Sequence, residues 1–336
     1  MPVSVAIVGA QGAGKTSLFA ALTGGRGADG VGMVDVPDPR LGRLAGAVGP
    51  KKVTPAQVRV ADAPPGSRAR QAAAAREADV ILHIVRCFGE APDPAGELES
   101  VRLDLVLADL ASVEKRLQAV EHEGAVGKKH PAEEVAALRA AREHLEAGLP
   151  LRTLTVADEG GRALAPLFPI TVRPSVLVAN VGDGTLQTGG EPAARLRAAA
   201  GAEEAVVVLS ARLELELGEL EAAEADQYRS SFGLQESGLG AVARGAWEVG
   251  GLITFFTAGE PEVRAWPVAE GAAAPVAAGV IHSDFERHFI RAEVTSVDDL
   301  VAAGSMEALR SAGRLRVEGR EYRVRDGDVV FFRVGR

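Results

Sequence analysis

Val3 to Val8 is a short apolar run rich in β-branched residues, the pattern of a buried strand, and Ser17 to Leu22 turns to helical character. Four later runs repeat the strand pattern: Gln57 to Ala61, Val80 to Val85, Ser175 to Ala179 and Ala205 to Leu209. The last three are almost continuously apolar, as expected when helices cover both faces of a parallel sheet. Arg68 to Ala78 and Pro192 to Ala200 read as helices between them, and this alternation predicts an α/β domain.

Residues 98–165 break the alternation. Leu103, Val106, Leu110, Val113, Leu117 and Val120 recur at alternating spacings of three and four, an a/d seam. Gly124 to Pro131 reads as a turn, and Ala132 to Ala147 as a second helix with Val135, Leu138 and Leu145 on its seam. Two helices joined by a short link predict an antiparallel coiled-coil hairpin inserted into the α/β domain. After Gly251 short strand-like runs alternate with turns, and Glu318-Gly319 reads as a hairpin turn between Leu315/Val317 and Tyr322/Val324. The expected division is an α/β domain over 1–97 and 166–250, the hairpin over 98–165, and a small α+β domain over 251–336.

Composition narrows the class without naming a function. A chain of 336 residues with 47% apolar and 25% charged residues fits a globular protein of two or three domains. No apolar run approaches the roughly 18 residues of a membrane span, and the N-terminal strand lacks the basic flank of a signal peptide. A single cysteine, Cys87, excludes an internal disulfide, and a cytoplasmic location is expected. The net charge of −9 argues against a protein that coats nucleic acid. Only six of the 37 basic residues are lysines, which makes Lys15 conspicuous.

Gly9 to Thr16 reads Gly-Ala-Gln-Gly-Ala-Gly-Lys-Thr and fits G-x-x-x-x-G-K-[ST] on a strand-to-helix turn. In such a loop the backbone from Gln11 through Gly12, Ala13 and Gly14 to Ser17 would cradle phosphates at a helix N-terminus. Lys15 would reach the β- and γ-phosphates, and Thr16 would hold Mg²⁺. Asp62, closing a strand, is the expected second metal-side carboxylate, and Gly66 follows it one residue later than in D-x-x-G. Asn180, Val181 and Asp183 form an N-x-x-D skeleton after a strand, with Asp183 able to accept from guanine N1 and N2. Ser210-Ala211-Arg212 follows the next strand and is similar to the S-A-K loop that meets a base edge.

These motifs, taken in order, resemble the YchF group of Obg-like ATPases within the Obg-related branch of P-loop GTPases. The resemblance rests on Gly-Lys-Thr-Ser-Leu-Phe-Ala-Ala-Leu-Thr at 14–23, Val-Pro-Asp-Pro-Arg-Leu at 36–41, Val-Arg-Cys-Phe at 85–88 and Val-Ala-Asn-Val at 178–181. It extends through Phe-Thr-Ala-Gly at 256–259 and Ala-Ala-Gly-Val-Ile-His-Ser-Asp-Phe-Glu at 277–286. It implies a G domain, a helical hairpin and a C-terminal β-grasp (TGS) module. It also implies Mg²⁺-dependent binding of ATP or GTP and association with ribosomes and translation, in a monomer. Family members carry N-x-x-E and prefer ATP. Asp183 stands in place of that Glu, which leaves the base preference open.

Three departures bear on turnover. The switch I segment is reduced to Gly24 to Asp35, the Gly-rich continuation of switch II is replaced by Ser67-Arg68-Ala69-Arg70-Gln71 and an alanine run, and Gly89 to Gly96 lacks the family's histidine. Slow hydrolysis follows as the expectation, since phosphoryl transfer depends on positioning. An active switch NTPase and an RNA- or ribosome-binding adaptor with a structural nucleotide remain as alternatives. Lys128, Lys129 and His130 at the hairpin tip, and Arg310, Arg314, Arg316, Arg320, Arg323 and Arg325, are candidate contacts to the ribosome or RNA. Cys87 reads as a buried thiol and His282 as a structural residue at a turn.

Overall fold

A computed structural model of the chain describes residues 3–62, 68–202, 204–234 and 236–335. Ala63 to Gly66, expected to carry the glycine that follows Asp62, lies outside them. The first elements in chain order are β1 (Ser4–Val8), α1 (Lys15–Thr23), β2 (Val31–Val36), α2 (Pro39–Val48), β3 (Val53–Thr54) and β4 (Ala56–Asp62). Next come α3 (Arg68–Glu77), β5 (Val80–Cys87), α4 (Pro94–Ala125), α5 (Ala132–Glu146), α6 (Asp158–Leu164), β6 (Ser175–Val181), α7 (Gly190–Ala199), β7 (Ala205–Leu209) and α8 (Ala211–Leu217). The later strands are β8 (Leu252–Ala258), β9 (Val263–Ala269), β10 (Phe289–Ser296), β11 (Arg316–Glu318) and β12 (Asp328–Val334). The chain forms two compact units: Ser4–Gly32 with Arg59–Val242, and Met33–Val58 with Ala243 onward.

The first unit is built on a sheet of order β2-β4-β1-β5-β6-β7, whose strands from β4 to β7 are parallel. β1, at the centre, has Val5 through Val8 fully buried, and Val176 through Ala179 of β6 match it. Apolar side chains on both faces are what helices on both sides of a parallel sheet demand. The phosphate-loop segment leaves the carboxyl end of β1, and the loops after β6 and β7 leave the same edge. In open α/β sheets that edge is where ligands bind.

The inserted hairpin is α4 and α5. Val106, Val113, Leu117 and Val120 pack on Ala137, Leu138, Ala141 and Leu145. At about 1.5–3 kcal/mol per buried large aliphatic, this seam outweighs the marginal stability of either helix alone. The seam begins later than its heptads predict, because Leu103 is 47% exposed. The first turns of α4 serve the sheet instead: Leu98 joins the cluster of Val85, Cys87 and Leu177, and Val101 packs with Ala6, Val8 and Ile81. A buried carboxylate pins the hairpin root. Asp109 accepts from Ile170 N (2.9 Å), Thr171 N (2.8 Å) and Thr171 Oγ1 (2.8 Å), with Arg76 at 3.5 Å.

The second unit holds a mixed sheet of order β11-β10-β12-β8-β9-β3. β8 and β9 form an antiparallel hairpin, β12 runs parallel beside β8, and β10 and β11 follow antiparallel. Helix Ala274–Ile281 packs Ala274, Ala277 and Ala278 on Phe255, Val268, Ala292 and Val330. This is the β-grasp arrangement. β3 extends it beyond the last hairpin, with Val53 paired in parallel to Val263. Residues 320–324 form no strand, contrary to the hairpin read from their alternation. Their backbone bonds go to the start of the helix: Ala274 N donates to Tyr322 O (2.8 Å) and Val324 N to Ala272 O (3.0 Å). No helix among the described residues is long and apolar enough to cross a membrane.

Candidate functional site

The loop between β1 and α1 curls because two glycines adopt left-handed conformations, Gly12 at φ 79° and Gly14 at φ 100°. At Gly14 a Cβ would also overlap Asn180 Nδ2. No side chain caps α1, so its first-turn N–H groups are free to meet an anion. Lys15 Nζ lies over the loop and donates to Gly9 O (2.9 Å) and Ala10 O (2.7 Å). Burial pulls its pKa down, and the carboxylates of Asp62 and Glu97 push the other way.

The loop forms one wall of a cavity of about 1020 Å³. Gln11, Gly12, Gly14, Lys15, Thr16 and Ser17 line it on one side. Asn180, Val181, Asp183, Ser210, Ala211 and Arg212 line it on the other. Ala13 and Asp62 do not line it. Ala13 is fully buried and contributes its carbonyl to Asn180.

Asn180 joins the two sides. Its Nδ2 donates to Ala13 O (2.8 Å) and its Oδ1 accepts from Ala211 N (2.9 Å), so both polar ends serve the protein. Asp183 Oδ1 accepts from Ser210 Oγ (2.7 Å), and that hydroxyl also accepts from Leu213 N as the cap of α8. Arg212 is turned along α8 to Glu216 (2.9 Å) at the exposed rim. The sequence motif therefore marks a scaffold that ties the two sides of the cavity together.

A divalent ion has donors to hold it here. Asp62 is half-buried, and its Oδ1 is buried without any hydrogen-bond partner. Burial raises its pKa, against the Lys15 charge and the Thr16 hydroxyl. An orphaned carboxylate oxygen beside a hydroxyl is chemistry that suits Mg²⁺. No cluster of three or more acidic, His or Cys ligands occurs among the described residues, so an ion here would share its shell with phosphate and water.

Two elements bring residues that no motif marks. Gln71 of α3 accepts from Gly9 N through Oε1 (3.1 Å), and Arg68 pairs with Asp104 of α4 (2.9 Å) across the cavity wall. Glu97 of α4 accepts from Arg86 N (2.9 Å). An alanine-rich helix and a heptad helix carry no spacing signal for such contacts. No residue of Gly24 to Val36 lines the cavity. Only Gly24 to Gly30 separate α1 from β2, and that link is closed by the Ala28–Val31 bridge and by Asp62 N donating to Gly30 O (2.8 Å).

Most of the other candidates are engaged away from this site. Cys87 is buried, with its thiol pushed up to about 11 chiefly by burial. His282 caps the helix Ser283–Arg287 by accepting from Asp284 N (3.2 Å). At the hairpin tip Lys128 pairs with Glu123 (2.6 Å), His130 sits between Glu123 and Glu134, and Lys129 is exposed. In the second unit Arg310 binds Glu293, Arg314 binds Asp299, and Arg316 binds Tyr322 and Asp328. Arg320 and Arg323 donate to backbone carbonyls, while Arg325 is exposed.

A glycine loop between a central parallel strand and a helix, faced by the loops that follow β6 and β7, defines a P-loop NTPase of the GTPase-like class. The YchF-GTPase_C family model, described as a protein of unknown function (DUF933), matches residues 252–335. The chain is 37% identical over 363 residues to the ribosome-binding ATPase YchF of Bacillus subtilis (strain 168), covering 99% of each. It is 34% identical over 354 residues to the ribosome-binding ATPase YchF of Escherichia coli O157:H7, covering 97% of each. The solved structure of the Schizosaccharomyces pombe YchF GTPase matches with a TM-score of 0.86 at 25% identity, over 98% of this chain and 97% of that one. The chain belongs to the YchF family.

Proposed function

We propose that the chain is a cytoplasmic, monomeric, Mg²⁺-dependent P-loop protein that binds ATP or GTP, turns it over slowly and acts at the ribosome. The observation that carries this reading is the 1020 Å³ cavity, walled by Gln11 to Ser17 and faced by Asn180 to Asp183 and Ser210 to Arg212. Lys15 and the free N–H groups of α1 would hold the phosphates. Thr16 and Asp62 would hold Mg²⁺, which neutralises charge between the β- and γ-phosphates when bound. ATP is the favoured nucleotide, as membership of the family implies, and Asp183, held by Ser210 through Oδ1, keeps Oδ2 for a base.

Slow turnover is supported by the short, closed Gly24–Gly30 link and by the lack of histidine in Gly89 to Gly96. Ribosome association is carried over from the names of the relatives. Lys129 and the C-terminal sheet domain are the candidate contacts. The G domain, hairpin and TGS-like module remain the working division, at the boundaries given above.

Calorimetric titration with ATP, GTP, ADP and GDP in the presence of Mg²⁺ tests the reading. Saturable binding that disappears in Lys15→Ala is expected, and absence of binding by all four sinks it. Turnover well below about 1 s⁻¹ is expected with and without ribosomes. Ribosome-stimulated turnover near that rate favours an active switch NTPase. Co-sedimentation with ribosomes that ignores the nucleotide favours an adaptor.

A further inference from the structure

Helix α4 has a cavity on each side. Ser100, Val101 and Asp104 face the nucleotide cavity, whereas Glu99, Arg102, Leu103 and Val106, on the opposite helical face, line a second one of about 320 Å³. The second cavity lies at the root of the hairpin. β5 contributes Ile81 and His83, the segment after α5 contributes Arg152, and Ile170 to Arg173 and Glu204 close the remainder.

Its charges do not balance. Three arginines, Arg102, Arg152 and Arg173, stand against two glutamates. Glu204 already engages two of the arginines, Arg102 directly and Arg152 at 3.6 Å, and also accepts from Ser175 Oγ (2.7 Å) and Gly201 N (2.8 Å). Glu99 is exposed at the rim. Arg173 has no side-chain partner among the described residues, and its Nε is buried. His83 is 3% exposed and its Nε2 also lacks a partner. Burial and the neighbouring Arg102 charge push the imidazole down to about 3, so it is neutral at physiological pH and offers one N–H.

Buried polar atoms are normally satisfied, and each one left without a partner is costly. Two such orphans lining one cavity call for an acceptor. Ile81, Val106 and Ile170 supply an apolar wall beside them. The volume is at the lower end for a small-molecule site. We infer that the hairpin-root cavity binds a small organic anion, its carboxylate or phosphate head on Arg173 and His83 and its apolar body against Ile81, Val106 and Ile170. The inference stands apart from the nucleotide site. Among the described residues only Leu105 lines both cavities.

The test uses the full chain and 8-anilinonaphthalene-1-sulfonate, a fluorescent anion with an apolar body. Saturable binding of one probe per chain is expected, displaced by benzoate or by phenyl phosphate, whichever head the site prefers. Arg173→Gln should weaken binding about tenfold, as loss of a charge-assisted hydrogen bond requires. Leu103→Trp, at an exposed position on the cavity wall, should block entry without disturbing the core. Arg68→Gln, on the nucleotide cavity, should leave the affinity unchanged. Circular dichroism and melting confirm folding of each variant. Absence of saturable binding overturns the inference. So does binding that survives both cavity variants, or that falls only in Arg68→Gln.

Discussion

Asn180→Ala is the most informative single change at the nucleotide site. It removes the bridge between Ala13 O and Ala211 N, at 2.8 and 2.9 Å. Ala13 is fully buried and Ala211 is 1% exposed, so water cannot replace the lost amide. Each buried backbone group left unpaired costs about 1–3 kcal/mol, and two together about 2–6 kcal/mol. Urea unfolding followed by far-ultraviolet circular dichroism should show a loss in that range. Hydrogen exchange at the Ala211 amide should quicken by about 5- to 150-fold, the same 1–3 kcal/mol expressed as a ratio. Nucleotide affinity should fall about tenfold or more, because the phosphate loop and the 210–212 loop lose their common tie. Asn180→Asp keeps the acceptor for Ala211 but sets a carboxylate oxygen against the Ala13 carbonyl. It should cost at least as much. A stability change within about 0.5 kcal/mol, with exchange at Ala211 unaltered, would refute the bridging role.

Asp109→Ala should destabilise the hairpin root by about 2–6 kcal/mol, since it leaves the buried backbone donors of Ile170 and Thr171 unpaired while Arg76 keeps its bonds to the Leu167 and Ala108 carbonyls; a shift in the urea midpoint without a change in slope measures this. His83 binds a proton in the unfolded chain near its ordinary value of 6.5 but in the folded chain only at about 3. Stability must therefore fall as pH drops through that window, by about 2–3 kcal/mol between roughly pH 6 and pH 4, and His83→Gln should remove this share of the acid sensitivity. Cys87, buried and with a thiol raised to about 11, should resist iodoacetamide at neutral pH until the protein unfolds; prompt labelling of the folded chain contradicts its placement.

Much of this was legible in the chain because the signals are local. Gly9 to Thr16 needs only its own spacing and the strand before it, and the apolar runs of β5, β6 and β7 announce their own burial. The hairpin was visible in its heptads except at Leu103, where α4 still answers to the sheet rather than to α5. Tyr322 and Val324 alternate like a strand, yet their backbone partners lie some fifty residues earlier, at Ala274 and Ala272. Val53 joins the C-terminal sheet through Val263, a pairing with no local mark. Gln71 and Arg68 reach the nucleotide site only through folding. His83, a histidine on an apolar strand, likewise finds its setting only through folding, which brings Arg102, Arg152 and Arg173 to the same cavity.

Competition of ATP against GTP on the purified chain with Mg²⁺, read by calorimetry, puts the nucleotide site itself to the test. Saturable binding of both is expected, ATP the tighter, with the heat lost in Lys15→Ala. No binding of either nucleotide, or binding that survives Lys15→Ala unchanged, would contradict it.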